Sequence, residues 1–344
     1  MLNRGLALIL LTLVLLALPG TALADEARLK VMTRNLYVGS SFSHALAATT
    51  PEEFVLGVSR IWSNVRRTDF RTRAGAIAGE IAATRPDVVG LQEVSRWERA
   101  AGSGPLQPAA DYLDILLDAL RARGLSYRPA VVVPGFTVAA PAFEDGQPVT
   151  LRLTDRDAIL VRADARGPDI TSATGANFAA RLSIPTALGV TIDVPRMWTR
   201  IDGTADGRPF RFVNTHLDPD SPAVQEQQAR ELLAGPYATD RPLIAVGDFN
   251  SAADGSSTAS YGLLTSAGLT DTWVDGSGFT CCQAELLDNV VSQLSERIDL
   301  VLLRGGAKAK STGLVGASSA DRLAGLWPSD HAGVVAELKL KGME

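Results

Sequence analysis

The stretch Leu243-Ile244-Ala245-Val246-Gly247-Asp248-Phe249-Asn250 decides how this sequence is read. The apolar run reads as a strand, and polar residues close it. In an extended segment, residues two apart point to the same side. Asp248 and Asn250 would then face one substrate atom, the carboxylate able to take a proton from water and the amide able to hold an oxygen. The alternative is an Asx-type turn that merely ends the strand.

The same pattern recurs on both sides of that stretch. Asp87-Val88-Val89-Gly90-Leu91-Gln92-Glu93 reads as a short buried strand ending in a carboxylate. Residues 209–217 read as a strand ending in Asn214-Thr215-His216, and Asp330-His331 stands just before a strand at 333–340. Asp299 interrupts an apolar strand at 298–303, where a lone carboxylate wants a partner and a histidine suits it. Further strands are expected at 127–133 and 157–162, with a hairpin or surface loop over the Pro-, Gly- and Asp-rich stretch 134–156. Helical spacing predicts helices at 51–63, 68–85, 109–123, 222–234 and 258–267. Helices and strands alternate along one continuous chain without repeats or low-complexity linkers. That favours a single layered α/β domain. Strand ends open onto loops, where reactive groups concentrate. Folding needs alone do not explain acids, amides and imidazoles at so many of them.

Composition sets the outer limits. The chain has 344 residues, 46 % hydrophobic and 21 % charged, which is a globular balance. Residues 1–24 carry Arg4, an apolar run from Gly5 to Leu18, Pro19-Gly20 and the small-x-small site Ala22-Leu23-Ala24. This is the build of a secretory signal peptide, its apolar run shorter than a retained membrane helix needs, with an uncleaved anchor as the alternative. It points to a secreted or periplasmic protein with a mature domain at 25–344. Removing Arg4 takes the formal charge from −5 to −6. A mildly acidic chain has no general attraction to nucleic acid or anionic membranes, although a bound cation could supply positive charge locally. The only cysteines, Cys281 and Cys282, are adjacent and lack zinc-site spacing. They read as loop residues or as a vicinal disulfide. Of the histidines His44, His216 and His331, the first lies in a Ser- and Ala-rich segment and reads as surface.

Taken together, Thr33-Arg34-Asn35, Leu91-Gln92-Glu93, Asn214-Thr215-His216-Leu217, Gly247-Asp248-Phe249-Asn250, Arg297-Ile298-Asp299 and Ser329-Asp330-His331 resemble, in order, the motifs of the endonuclease/exonuclease/phosphatase superfamily, which includes the DNase I-like enzymes. The resemblance spans essentially the whole mature chain. It implies a four-layer α-β-β-α sandwich of two packed mixed sheets flanked by helices. It also implies a metal-dependent hydrolase acting on phosphoester bonds. Glu93, Asn35 and Asp330 are implied as the metal region, and Asp248 and Asn250 as the pair that activates and orients water. Asp299 is implied to hold His331 against the scissile phosphate, with His216 as the second catalytic histidine.

The chemistry agrees with that mapping. A phosphoester is anionic and repels the oxygen nucleophile that must attack it, so hydrolysis needs charge neutralisation, a base and an acid. Carboxylate and amide oxygens suit Mg²⁺, with Mn²⁺ or Ca²⁺ as substitutes. The sequence departs from the pattern in places. Residues 36–92 carry two extra helices with Arg60, Arg66, Arg67, Arg71 and Arg73, either a surface elaboration or a lid touching phosphate. Tyr37 stands where abasic-site endonucleases often carry an acidic or amide residue, and their central Tyr motif has no match. Arg156-Asp157 is the nearest polar pair. The expected substrate is a nucleic acid, a phospholipid head group or a small phosphate ester, with nuclease slightly favoured. No feature points to an obligate protein partner, and a monomer is expected. A non-catalytic secreted binding protein on the same fold is the alternative from another class. It is disfavoured because no acid, amide or imidazole of the set is missing.

Overall fold

The computed structural model describes residues 26–164, 166–273 and 278–341; the expected signal peptide at 1–24 lies outside them. Along the chain come β1 (Glu26–Asn35), α1 (Ser43–Leu46), α2 (Pro51–Arg67), α3 (Phe70–Thr84), β2 (Val88–Gln92), β3 (Arg96–Ala101), β4 (Gln107–Asp111) and α4 (Tyr112–Ala122). The long strands β5 (Tyr127–Glu144) and β6 (Gln147–Arg162) follow, then β7 (Asp169–Asn177), β8 (Leu182–Pro185), β9 (Thr191–Val194), β10 (Met197–Ala205) and β11 (Arg208–His216). The last part holds α5 (Pro222–Ala234), β12 (Leu243–Asp248), α6 (Ser260–Ser266), β13 (Thr270–Asp271), β14 (Asp299–Arg304), β15 (Ala307–Val315) and β16 (Gly333–Lys341).

The strands form two mixed sheets. The first runs β15-β16-β1-β2-β6-β3-β4, with β5 paired along the other side of β6. The second runs β13-β14-β12-β11-β10-β7, and β8 and β9 form a separate ribbon. Each large sheet has one parallel pair, β1 with β2 and β11 with β12, bridged by helices. Three apolar clusters separate the layers. One joins the first sheet to α1–α4, a second fills the space between the sheets, and a third joins the second sheet to α5 and α6. The architecture is therefore the expected α-β-β-α sandwich.

Strand periodicity explains where the polar residues go. Ile244 and Val246 of β12 face the other sheet, while Leu243 and Ala245 face the helices. Two residues on, Asp248 falls on the inter-sheet face. The same parity carries Val31 to Asn35 in β1, Phe212 to His216 in β11, Ile159 to Asp157 in β6 and Val301 to Asp299 in β14. Apolar core and polar site are thus one continuous face.

Between them lies a layer of amides and hydroxyls. Buried Asn214 donates to the carbonyls of Leu91 (3.1 Å) and Ala158 (3.4 Å) and to Thr199 Oγ1 (3.2 Å). Gln92 donates to Asn214 Oδ1 and to Thr33 Oγ1 (3.0 Å), which ties the two sheets together.

The helices start where side chains can cap them. Thr50 and Glu53 form a capping box at α2, and Asp111 accepts from Leu113 N (3.1 Å) at α4. That cap starts α4 three residues later than spacing predicts, because residues 107–111 pair with β3. Of the two readings of 134–156 the structure takes the hairpin. Asp145 and Gly146, both at positive φ, turn β5 into β6 in the two-residue geometry that Asp-Gly favours. Periodicity did not single out β1, β3, β4, β7 to β10, β13 or β15. Of these, β7 to β9 are half-exposed and carry weak apolar alternation.

Candidate active site

The site lies at one end of the sandwich, on the inter-sheet face. Register places His216 beside Asp248 and Asp248 beside Asp299, so three adjacent strands present them as one row. His331, carried on the segment before β16, closes over that row. Its Nδ1 hydrogen-bonds Asp299 Oδ2 at 2.8 Å, and its Nε2 stands 3.7 Å from Asp248 Oδ2. His216 Nε2 approaches the same oxygen at 3.6 Å. Asp248 is therefore flanked by two imidazoles, one of them fixed by a carboxylate.

From the opposite sheet, Asn35 Nδ2 donates to Asp248 Oδ2 (3.1 Å) and to Glu93 Oε1 (3.2 Å). Its Oδ1 accepts from Tyr37 N at 2.9 Å. Glu93 Oε2 accepts from Val38 N at 2.5 Å. Tyr37, Glu93 and Asn250 all hold positive φ without being glycine, at 61°, 53° and 48°. Left-handed backbone at such residues is strained and collects at working sites. Asp330 accepts from Ser329 Oγ at 3.2 Å and lies 4.0 Å from His331 Nε2.

Asn250 corrects one premise of the sequence reading. The strand ends at Asp248, and Asn250 N donates back to Asp248 Oδ1 at 3.0 Å in the Asx-type turn. Asn250 Nδ2 reaches the Leu217 carbonyl at 2.9 Å. The pair is therefore brought together by a turn and not by extension.

Burial sets the charges. It pushes the Asp248 carboxyl up to about 7, with His331 opposing and Asp299 adding to the rise. Burial likewise raises Asp330 to about 6, opposed by His331 and reinforced by Glu93. Burial works against a proton on His331, but Asp299, Asp330 and Asp248 outweigh it and hold the imidazolium well above the usual range. His216 goes the other way, held well below its usual range by burial, Arg196 and His331. The two histidines are thus driven to opposite charge states.

The sequence reading missed Arg196 and Asp155, and it named Asp157 only within the pair Arg156-Asp157. Arg196, just before β10, places Nη1 3.2 and 3.3 Å from the two ring nitrogens of His216. Asp157 is fully buried, and neither carboxyl oxygen has a hydrogen-bond partner among the described residues; Asp155 Oδ1 is in the same condition. Burial raises Asp155 to about 7 and Asp157 well above its usual range. Arg156, between them, points to the other face. Its guanidinium holds Asp111 (2.5 Å) and the Val94 carbonyl (2.7 Å), so of the Arg156-Asp157 pair only the acid reaches the site.

The arginines of α2 and α3 do not form a phosphate lid. Arg60, Arg67 and Arg71 are exposed, and Arg66 pairs with Asp145 at 3.0 Å at the hairpin tip. Arg73 is buried and donates to the carbonyls of Leu36 (2.6 Å), Thr68 (2.7 Å), Tyr37 (3.1 Å) and Pro328 (3.1 Å). It ties the loop after Asn35 to the segment before Asp330. Arg34 does the same for His331, whose carbonyl accepts from Nη1 while Nη2 pairs with Glu80 at 2.9 Å. His44 is half-buried and bonded to Glu285 Oε1 at 2.8 Å, away from the row.

Hard oxygen donors dominate this cluster, and at its buried carboxyls burial outweighs the positive charge of His331 and Arg196. That donor chemistry fits a divalent cation. Asp248, Asp299 and His331 each place one potential ligand atom within 4.8 Å of the others.

Residues 61–331, well over half of the chain, match the Endonuclease/Exonuclease/phosphatase family. This chain belongs to that family. Family members are hydrolases of phosphoester bonds and generally use a divalent metal. No curated protein matches the sequence significantly.

Solved structures share the family fold. An endonuclease/exonuclease/phosphatase family protein from Bacteroides thetaiotaomicron superposes with a TM-score of 0.58 at 18% identity, covering 92% of this chain and 100% of that one. The mannosyl-6-phosphatase of the same species gives 0.54 at 19% identity, with 90% and 99% covered. D. rerio TDP2 complexed with a single-strand DNA product gives 0.51 at 17% identity, with 90% and 98% covered. At such identities the likeness establishes the family fold and no more.

Proposed function

We propose that this chain is an exported, divalent-metal-dependent phosphoesterase in which Asp248 activates the attacking water. The observation that carries the reading is the row His216–Asp248–Asp299 closed by His331. A buried carboxyl raised towards neutrality is suited to accept a proton at working pH. Glu93 and Asp330 would hold the metal, with Asn35 fixing Glu93 relative to Asp248. The bound cation would supply charge neutralisation at the phosphate.

His331, held as an imidazolium by Asp299, binds a non-bridging oxygen of the phosphate. His216, backed by Arg196, faces the leaving group. Asn250 fixes the Asp248 turn and leaves its own Oδ1 to orient water. We read residues 25–344 as one catalytic domain after a signal peptide removed at Ala24, which gives a secreted or periplasmic enzyme acting as a monomer. Export favours a nucleic acid as substrate. The second reading is a small phosphate ester, supported by the sugar-phosphatase among the structural neighbours.

The test uses purified residues 25–344 against plasmid DNA, RNA, sphingomyelin, phosphatidylcholine, inositol phosphates, mannose 6-phosphate and bis-p-nitrophenyl phosphate. Activity should require Mg²⁺ or Mn²⁺ and stop with EDTA. Turnover that survives thorough chelation sinks the metal mechanism. Asp248→Ala and His331→Ala should each lose roughly 10²–10⁴-fold in rate. An undiminished Asp248→Ala removes the base.

A further inference from the structure

The pair Cys281-Cys282 has no place in that scheme, yet it stands against the histidine at its centre. Cys282 Sγ lies 3.8 Å from His331 Nε2. Both sulphurs and an imidazole nitrogen of His331 fall within 4.8 Å of one another. The arrangement is built in by backbone hydrogen bonds on both sides. Ala332 N donates to the Thr280 carbonyl (2.8 Å), and Gln283 N to the Asp330 carbonyl (2.8 Å). The residues flanking the cysteines are thus tied to those flanking His331. Cys281 is buried, Cys282 is open to solvent, and their sulphurs are joined as a vicinal disulfide.

We propose that reduction of this disulfide creates a second, thiophilic metal site, in which Cys281 Sγ, Cys282 Sγ and His331 Nε2 take Zn²⁺ and switch hydrolysis off. The reductant is a small dithiol. It gives two electrons and two protons, leaves as its own cyclic disulfide, and the protein gains two thiols. Zn²⁺ then displaces both thiol protons and the Nε2 proton of His331 to solvent, while Asp299 keeps the proton on Nδ1. The fourth position falls to Asp330 Oδ1, 4.0 Å from His331 Nε2, or to water.

Ligand softness separates this site from the hydrolytic one. Thiolates and imidazole select zinc, whereas the neighbouring carboxylates select Mg²⁺. Asp299 engages Nδ1 and leaves Nε2 as the outward nitrogen, the carboxylate–histidine arrangement that zinc sites use. The orientation that serves a phosphate therefore also serves zinc, and His331 cannot do both. Inhibition rests on the role given to His331 above; metal binding does not.

The test compares oxidised and dithiothreitol-reduced mature protein, desalted without oxygen, with Cd²⁺ as the optical probe. Thiol titration should find two thiols after reduction. The reduced protein should bind one Cd²⁺ per chain with an ultraviolet thiolate-to-metal band that the oxidised protein lacks. His331→Gln should weaken that binding tenfold or more, and Cys282→Ser should abolish the band. One equivalent of Zn²⁺ should then stop hydrolysis by the reduced protein only, and reoxidation should restore it. No band despite two titrated thiols overturns the site, and so does loss of fold on reduction, followed by circular dichroism. A band unchanged in His331→Gln, or full activity with zinc bound, overturns the coupling to His331. If no substrate is ever turned over, the Cd²⁺ titration still decides the site.

Discussion

Asp299 shows how much one carboxylate fixes at the residue scale. The sequence marks it as an acid interrupting an apolar strand, and its partner proves to be His331 at 2.8 Å. Replacing it by Asn keeps the shape but removes the charge that orients and protonates the imidazole. Asp299→Asn should lower kcat by roughly 10–100-fold with the melting temperature little changed. Steady-state kinetics beside circular dichroism checks both. Unchanged kcat would mean that His331 is positioned by its backbone alone. Arg196 was not legible at this scale. It belongs to no motif and follows no apolar strand, and only the packing of the segment before β10 against β11 brings it to His216. The Arg156-Asp157 pair was half legible, because adjacent strand residues point to opposite faces and the sequence alone does not say which face is wet.

At the element scale, the helices after Asn35 form part of the core and not a lid. α2 and α3 bury Ile61, Trp62, Ile77 and Ile81 against the first sheet, and Trp62 Nε1 donates to Glu144 Oε1 at 2.6 Å in the hairpin. The capping box at Thr50 should therefore matter for stability and not for chemistry. Thr50→Ala should cost about 1 kcal/mol in urea unfolding and leave the specific activity unchanged. A loss of activity at full stability would revive the lid reading. The hairpin was one of two readings of the Pro-, Gly- and Asp-rich stretch 134–156, and the length of its strands was not legible. Prolines and glycines within β5 mimic loop punctuation. They are accommodated because its register shifts at Pro129 and Pro134.

At the scale of the whole molecule, the two sheets meet closely where Gly90 lies against Asn214 and Val246. A Cβ at Gly90 would stand 2.6 Å from Asn214 Oδ1 and 2.7 Å from Val246 Cγ2. Gly90→Ala should force the sheets apart, cost about 1–3 kcal/mol and reduce activity, because Asn35 and Asp248 belong to opposite sheets. Equilibrium unfolding together with kinetics tests this. A stable variant with normal activity would show that the junction relaxes freely. Asn214, two residues before His216 in its motif, is the hydrogen-bonded bolt of that junction.

The sequence by itself determined the ends of the strongly apolar strands and their order along the chain. Period-two alternation is local, and an apolar strand announces its own buried side. That pattern marked Glu93, His216, Asp248, Asp299, Asp330 and His331 at or beside apolar strands, and Asn35 came only with the resemblance of the ordered motifs. The tertiary structure decided which strands abut. It set Asn35 across from Asp248, turned Arg156 away, buried Arg73 among carbonyls and stood the cysteine pair against His331. These outcomes depend on contacts between residues far apart in the chain, and no local pattern encodes them.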